Sequence, residues 1–108
     1  MAIEAILTLD DLQQQREQIV ALARQYRVCQ IAVFGSLLRG RLSENSDIDF
    51  LVDFESDYSL RDHIRLTQGL QQLLGRRIEV VDRLALRPEL RDTIVKEAQR
   101  LNWLLRPC

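Results

Sequence analysis

The segment from Asp47 to Phe54 constrains this chain more than any other. Ile48, Phe50, Val52 and Phe54 fall on one side of a two-residue period; Asp47, Asp49, Leu51 and Asp53 fall on the other. That alternation belongs to a β-strand with one face in a core, and the apolar face requires helices to cover it. The opposite face opens with two carboxylates two residues apart. In a strand their Cα atoms lie roughly 6.5–7 Å apart on one side. At an effective dielectric of about 20 the two charges repel by about 2–3 kcal/mol. A divalent cation bound through oxygen relieves that repulsion, and Mg²⁺ characteristically takes one or two carboxylates together with substrate phosphates. On this dipeptide spacing alone a simpler account stands beside it. Asp47 ends a turn after Asn45 and Ser46, and Asp49 is a solvated strand-end residue.

The remaining periodicities supply the cover. Thr8-Leu9-Asp10-Asp11 has the form that opens a helix, and Leu12, Ile19, Ala23 and Tyr26 share a face, which predicts a helix from about Asp10 to Tyr26. Val28 to Phe34 is an apolar run interrupted only by Gln30 and ended by Gly35, the pattern of a buried strand. Ser59-Leu60-Arg61-Asp62 opens another helix, whose expected stripe is Leu60, Ile64, Leu70, Leu73 and Leu74, stopping at Gly75. Arg77 to Asp82 reads as a third strand, with Ile78 and Val80 on one face and Glu79 and Val81 on the other. Pro88 suits the first turn of a last helix with Leu90, Ile94, Ala98, Leu101 and Leu105 as its buried stripe. The expected fold is therefore α/β (α+β), a small mixed sheet of about three strands flanked by about four helices in one domain spanning 1–108.

Gly35-Ser36 follows the first strand where the chain must turn. Glycine permits close backbone approach to a ligand, and the Ser36 hydroxyl with nearby N–H groups can donate to phosphate oxygens. A short helix from Ser36 to Arg39 would add a favourable dipole, and the Arg39 guanidinium a permanently charged fork for the same phosphates. Strand-Gly-Ser-helix turns also occur in folds with no ligand at all.

The combination is more specific than its parts. Gly35-Ser36, ten intervening residues, then Asp47-Ile48-Asp49 resembles the active-site signature of the DNA polymerase β-like nucleotidyltransferases. The fuller stretch, from Gly35-Ser36-Leu37-Leu38-Arg39-Gly40 to Ser46-Asp47-Ile48-Asp49-Phe50-Leu51-Val52, resembles the minimal nucleotidyltransferase (MNT) branch. Arg77 to Val81 and the helix start Arg87 to Arg91 are similar to the third carboxylate strand and final helix of that family. The resemblance implies the nucleotidyltransferase palm fold. It also implies that Gly35, Ser36 and Arg39 hold the triphosphate of ATP. Asp47 and Asp49 would coordinate two Mg²⁺ ions, with Glu79 as third metal ligand or base. Many relatives have Asp at position 79, and smaller or polar residues at Leu37 and Leu38. The longer reach of Glu79 puts full catalytic competence in question.

Other features carry less. His63, the only histidine, reads as a helix-surface residue, and Asp53 as non-catalytic. Trp103, Leu104 and Leu105 read as helix packing or as a partner-binding patch. Charge is abundant but nearly cancels, with Lys+Arg 15 against Asp+Glu 16, which leaves no overall electrostatic drive toward nucleic acid. No basic leader or membrane-length apolar segment is visible, and Cys29 and Cys108 have no metal-ligand spacing; a reduced, cytoplasmic setting is the expectation.

A site built by so little protein is open on one side, so the acceptor or a second subunit is expected to complete it in a homo- or hetero-oligomer. The MNT resemblance implies a particular partner, a HEPN ribonuclease toxin. The chain would then be an antitoxin that transfers AMP from ATP to a tyrosine of that toxin. The alternatives are a catalytically weak module that masks its partner stoichiometrically, a nucleotidyltransferase for small hydroxylated molecules, and a regulatory subunit of a larger nucleotidyltransferase.

Overall fold

The computed structural model describes residues 8–40 and 46–101. The order is α1 (Leu9–Gln14), α2 (Arg16–Gln25), β1 (Val28–Phe34), a 3₁₀ turn (Gly35–Leu37) and β2 (Ile48–Phe54). These are followed by α3 (Leu60–Leu74), β3 (Ile78–Asp82), a 3₁₀ turn (Arg83–Ala85), α4 (Pro88–Glu97) and β4 (Gln99–Arg100). The sheet runs β3-β2-β1-β4. β2 lies parallel to β3 and antiparallel to β1, and β4 pairs antiparallel with the free edge of β1. The mixed α/β architecture agrees with the sequence, with four strands among the described residues in place of about three. No helix among the described residues is long and apolar enough to cross a membrane.

One sheet face carries the core. Ile31 and Val33 of β1, Ile48, Phe50 and Val52 of β2, and Ile78 and Val80 of β3 pack against Leu12, Ile19, Ala23, Leu66 and Leu70. The helices start where their capping chemistry says they should. Thr8 and Asp11 form a reciprocal capping box, as do Ser59 and Asp62, and each satisfies two otherwise orphaned N–H groups. Gly75 ends α3 in the left-handed conformation at φ 67°. The single helix expected from Asp10 to Tyr26 is two, because Gln15 (φ −100°, ψ 10°) leaves helical geometry between them.

The stripe of α3 differs from expectation. Leu66, Leu70 and Leu74 are buried, while Leu60 is 72% and Ile64 48% exposed. At about 100° per residue, Leu60 and Ile64 lie roughly a quarter-turn or more from the centre of the buried stripe. His63 is not a free surface residue. Its Nε2–H donates to the Val80 carbonyl at 2.9 Å, and its ring lies 5.4 Å from that of Phe54.

The last helix departs furthest. α4 buries none of its residues and ends at Glu97, where Ala98 turns extended (ψ 138°). The expected helical stripe through Leu101 is therefore broken. Gln99 and Arg100 join the sheet instead, and the Leu101 N–H donates to the Ile31 carbonyl at 2.9 Å, which drives the Leu101 side chain into the core. Pairing the exposed edge of β1 satisfies backbone groups that a longer helix would leave open. Leu105, with Trp103, Leu104 and Cys108, lies outside the described residues.

Candidate active site

β1 and β2 run antiparallel, so the end of β1 meets the start of β2. Phe34 is in register with Asp49, and Gly35 follows at once. Gly35 has φ 79°, a conformation that disfavours any side chain, and a Cβ placed there would lie 2.4 Å from Asp49 Oδ2. The glycine is therefore required twice, by its own backbone and by the carboxylate beside it. Residues 35–37 form only one 3₁₀ turn, closed by Leu38 N–H donating to the Gly35 carbonyl at 3.1 Å. The helix expected from Ser36 to Arg39 does not extend further, so no aligned helix dipole develops. Leu37 is buried in the core and Leu38 packs against it, which anchors the turn. Ser36 sits half-buried within it.

β2 and β3 run parallel, with Asp49 in register with Glu79. The two carboxyls share the open face of the sheet and hydrogen bond to one another. The Asp49 carboxyl is pushed up from 3.8 to about 6, first by burial, then by the charge of Glu79 and that hydrogen bond, with a smaller contribution from Asp47. Asp47 precedes β2. Arg77 Nε lies 3.1 Å from Asp47 Oδ1. That contact is ionic without a hydrogen-bonding alignment, and this buried oxygen has no hydrogen-bond partner.

Two positioning residues went unread in the sequence. Arg76, itself buried, donates from Nη2 to the Ser46 carbonyl at 3.0 Å, and Arg77 approaches Asp47. The signal was present: an Arg-Arg pair directly after the helix-ending Gly75 must arrive beside the start of any strand parallel to β3. Arg39, read as a phosphate fork, is turned to the last turn of α4, where its Nη2 donates to Glu97 Oε2 at 2.9 Å. Asp53 is also buried and engaged, pairing with Arg83 Nε at 2.6 Å.

The donor set is all hard oxygen, which suits a small divalent cation. Asp47 offers a buried oxygen with no hydrogen bond, and the missing side chain at Gly35 leaves Asp49 Oδ2 accessible. Asp49 and Glu79 face each other, and among the described residues no three His, Cys, Asp or Glu side chains are grouped to hold a metal ion. The site thus presents Asp47 and Asp49 as the fitting pair, with Glu79 bonded to one of them.

Comparison with known proteins agrees with the fold and with the family resemblance of the sequence. The Nucleotidyltransferase domain family matches residues 14–101. The chain belongs to this family. It is 38% identical over 98 residues to the protein adenylyltransferase MntA of Thermococcus cleftensis, covering 86% of this chain and 95% of that protein. A solved structure assigned as a minimal nucleotidyltransferase superposes with a TM-score of 0.80 at 38% identity, covering 89% of this chain and 98% of the other. A toxin–antitoxin complex solved with AMP-PNP contains a chain that matches at TM-score 0.68 and 26% identity, over 80% of this chain and 71% of its own. The matched span contains all six residues singled out at the turn and on the strands, from Gly35 to Glu79.

Proposed function

We propose that this nucleotidyltransferase is a protein adenylyltransferase that moves AMP from ATP onto a tyrosine hydroxyl of a HEPN ribonuclease partner, and so serves as its antitoxin. The observation that carries this reading is the convergence of Gly35, Asp49 and Glu79. A glycine turn leaves room at one carboxylate, and a second carboxylate stands directly across from it. The MntA relative and the likeness to an antitoxin complex solved with an ATP analogue support the choice of AMP and of a toxin partner. A cytoplasmic setting belongs to the same reading.

In this reading the Gly35-Ser36 turn receives the triphosphate. The acceptor oxygen forms a bond to the α-phosphorus as the bond from that phosphorus to the bridging oxygen breaks, and pyrophosphate leaves. The acceptor proton passes to the Glu79 carboxylate. Asp47 and Asp49 would hold Mg²⁺, with Glu79 able to join them. When bound, Mg²⁺ neutralises charge on the phosphates and carboxylates. Arg77 and Arg76 keep Asp47 and the chain entering β2 in place.

One observation favours a second reading. Asp49 and Glu79 are engaged with each other across the β2–β3 pairing, as in a module that masks its partner without chemistry. The test is transfer of α-labelled AMP from ATP with Mg²⁺ onto the HEPN partner, comparing wild type with Asp47→Asn plus Asp49→Asn. Label from wild type alone supports the transferase. A stable complex from both proteins with no label from either supports masking, and full activity in the double mutant overturns the assigned site.

A further inference from the structure

α4 buries none of its residues, and a helix of 10 residues has little stability of its own in water. It is held at two ends. At its start, Arg91 Nη2 donates to the carbonyls of Leu86 at 3.0 Å and Leu84 at 3.4 Å. Beyond its end, Gln99 and Arg100 pair with β1, and Leu101 is buried in the core. Between these anchors the last turn has, among the described residues, one side-chain tie to the rest of the molecule. Arg39 Nη2 donates to Glu97 Oε2 at 2.9 Å. Arg39 is itself part of the glycine turn, since its N–H donates to the Gly35 carbonyl at 3.4 Å. The last turn of α4 also covers a cavity of about 100 Å³. Val95 and Ala98 line one side of it, and Ala32 and Leu51 line another. Ala32 and Leu51 form the row of the open face next to Asp49 and Glu79.

We propose that the Arg39–Glu97 pair is a nucleotide-operated latch. A triphosphate at the Gly35-Ser36 turn draws Arg39 away from Glu97, and the last turn of α4 then unwinds from over the cavity. The inference rests on the reading of that turn as the triphosphate site. A guanidinium forks onto phosphate as well as onto carboxylate, and a triphosphate brings more negative charge than one glutamate. Once Arg39 leaves, Glu97 is poorly placed. Its Oε1 is buried without a hydrogen-bond partner, and its charge has lost the group that compensated it. The carboxylate regains hydration by moving out to solvent, and the last turn must open for it to do so. Ala98, already extended at ψ 138°, is the end from which unwinding proceeds.

The opening is local. The Arg91 contacts and the β1–β4 pairing do not involve Arg39, so both anchors stay in place while the turn between them loosens. An ion pair as exposed as Arg39–Glu97 is modest in strength, so the latch shifts a poised equilibrium and does not lock it. The consequence is an order of events. In the nucleotide-free protein the last turn of α4 covers the part of the open face beside the carboxylate row. The nucleotide uncovers it, so a second substrate meets the whole face only after the first is bound.

Hydrogen exchange followed by mass spectrometry on the full chain tests the latch. Residues 35–40 and 94–98 are compared with Mg²⁺ alone, with α,β-methylene-ATP, and with AMP, which lacks the β- and γ-phosphates. Binding of each nucleotide is measured in parallel by calorimetry. In wild type the uncleavable triphosphate should slow exchange at 35–40 yet speed it about two- to fivefold at 94–98, while AMP leaves 94–98 unchanged. Glu97→Gln should show the faster exchange at 94–98 without nucleotide and gain little more from the triphosphate. Arg39→Glu combined with Glu97→Arg re-forms the pair with reversed polarity and should restore slow exchange; both variants are checked for folding by circular dichroism. Unchanged or slower exchange at 94–98 while the triphosphate protects 35–40 overturns the latch and leaves the nucleotide site standing. Wild-type exchange in folded Glu97→Gln overturns it as well. Failure of wild type to bind the triphosphate removes the nucleotide reading itself, and the latch with it.

Discussion

Asp49 stands directly across from Glu79 in the parallel pairing of β2 and β3, and the two carboxyls hydrogen bond on the open face of the sheet. Burial and the neighbouring charge hold Asp49 at about 6, against an ordinary value of 3.8. A carboxyl raised in the folded state adds stability below its unfolded value, and that contribution is lost as pH rises through the folded one. The window is therefore pH 3.8 to about 6. At pH 7.5 Asp49→Asn should stabilise the fold by about 1 kcal/mol, after discounting for solvent screening of a half-exposed group. At pH 3.5 it should have little effect. Thermal melts at the two pH values check this, and equal shifts at both would count against the carboxyl pair.

The same pair sets a pH dependence for cation binding. Mg²⁺ requires the ionised carboxylate, so its affinity should fall as pH drops below about 6. Titration of Mg²⁺ between pH 5 and 8, followed by calorimetry, should show the loss in wild type. Asp49→Asn should bind weakly at every pH.

Gly35→Ala should be costly on two counts, a positive φ and a collision with the Asp49 carboxylate. A loss of about 1–3 kcal/mol in unfolding free energy is expected. ATP binding should fall with it, because relieving the clash displaces either Asp49 or the turn itself. Urea melts and calorimetry read the two effects separately.

Glu97 Oε2 holds Arg39 at 2.9 Å, and a triphosphate at the turn would compete for the same guanidinium. An exposed pair of this kind contributes up to about 1 kcal/mol. Glu97→Gln should therefore raise ATP affinity by no more than about fivefold, while Arg39→Ala lowers it. If neither substitution changes affinity, Arg39 serves only to hold α4.

The two sets of leucines on α3 should separate cleanly. Leu66→Ala or Leu70→Ala should cost about 2–5 kcal/mol, since both are fully buried against the sheet. Leu60→Ala, at a position 72% exposed, should stay within about 0.5 kcal/mol. Chemical denaturation of the three variants tests which stripe is the core.

What could be read from the residues alone was local. Period-two alternation showed β2 and its two faces, because side chains on a strand must alternate. The capping residues Thr8, Ser59 and Gly75 marked helix ends, because orphaned backbone groups need partners within a few residues. Gly35-Ser36 and Asp47-Ile48-Asp49 stood out because turn and strand geometry give those spacings chemical meaning. Other features depended on neighbours distant in sequence. Leu101 looked helical by period, yet the unpaired edge of β1 draws residues 99–101 into the sheet, and hydrogen bonds to a distant strand outweigh a continuing helical pattern. Arg39 turns to Glu97, and Asp49 bonds to Glu79, because the parallel register of β2 and β3 and the return of α4 put those groups together. The sequence by itself determined β1, β2, β3 and α3 as local elements and marked Gly35, Asp47, Asp49 and Glu79 as candidate site residues. Only the tertiary structure decided which charges meet, since that follows from strand order and register, which no local pattern encodes.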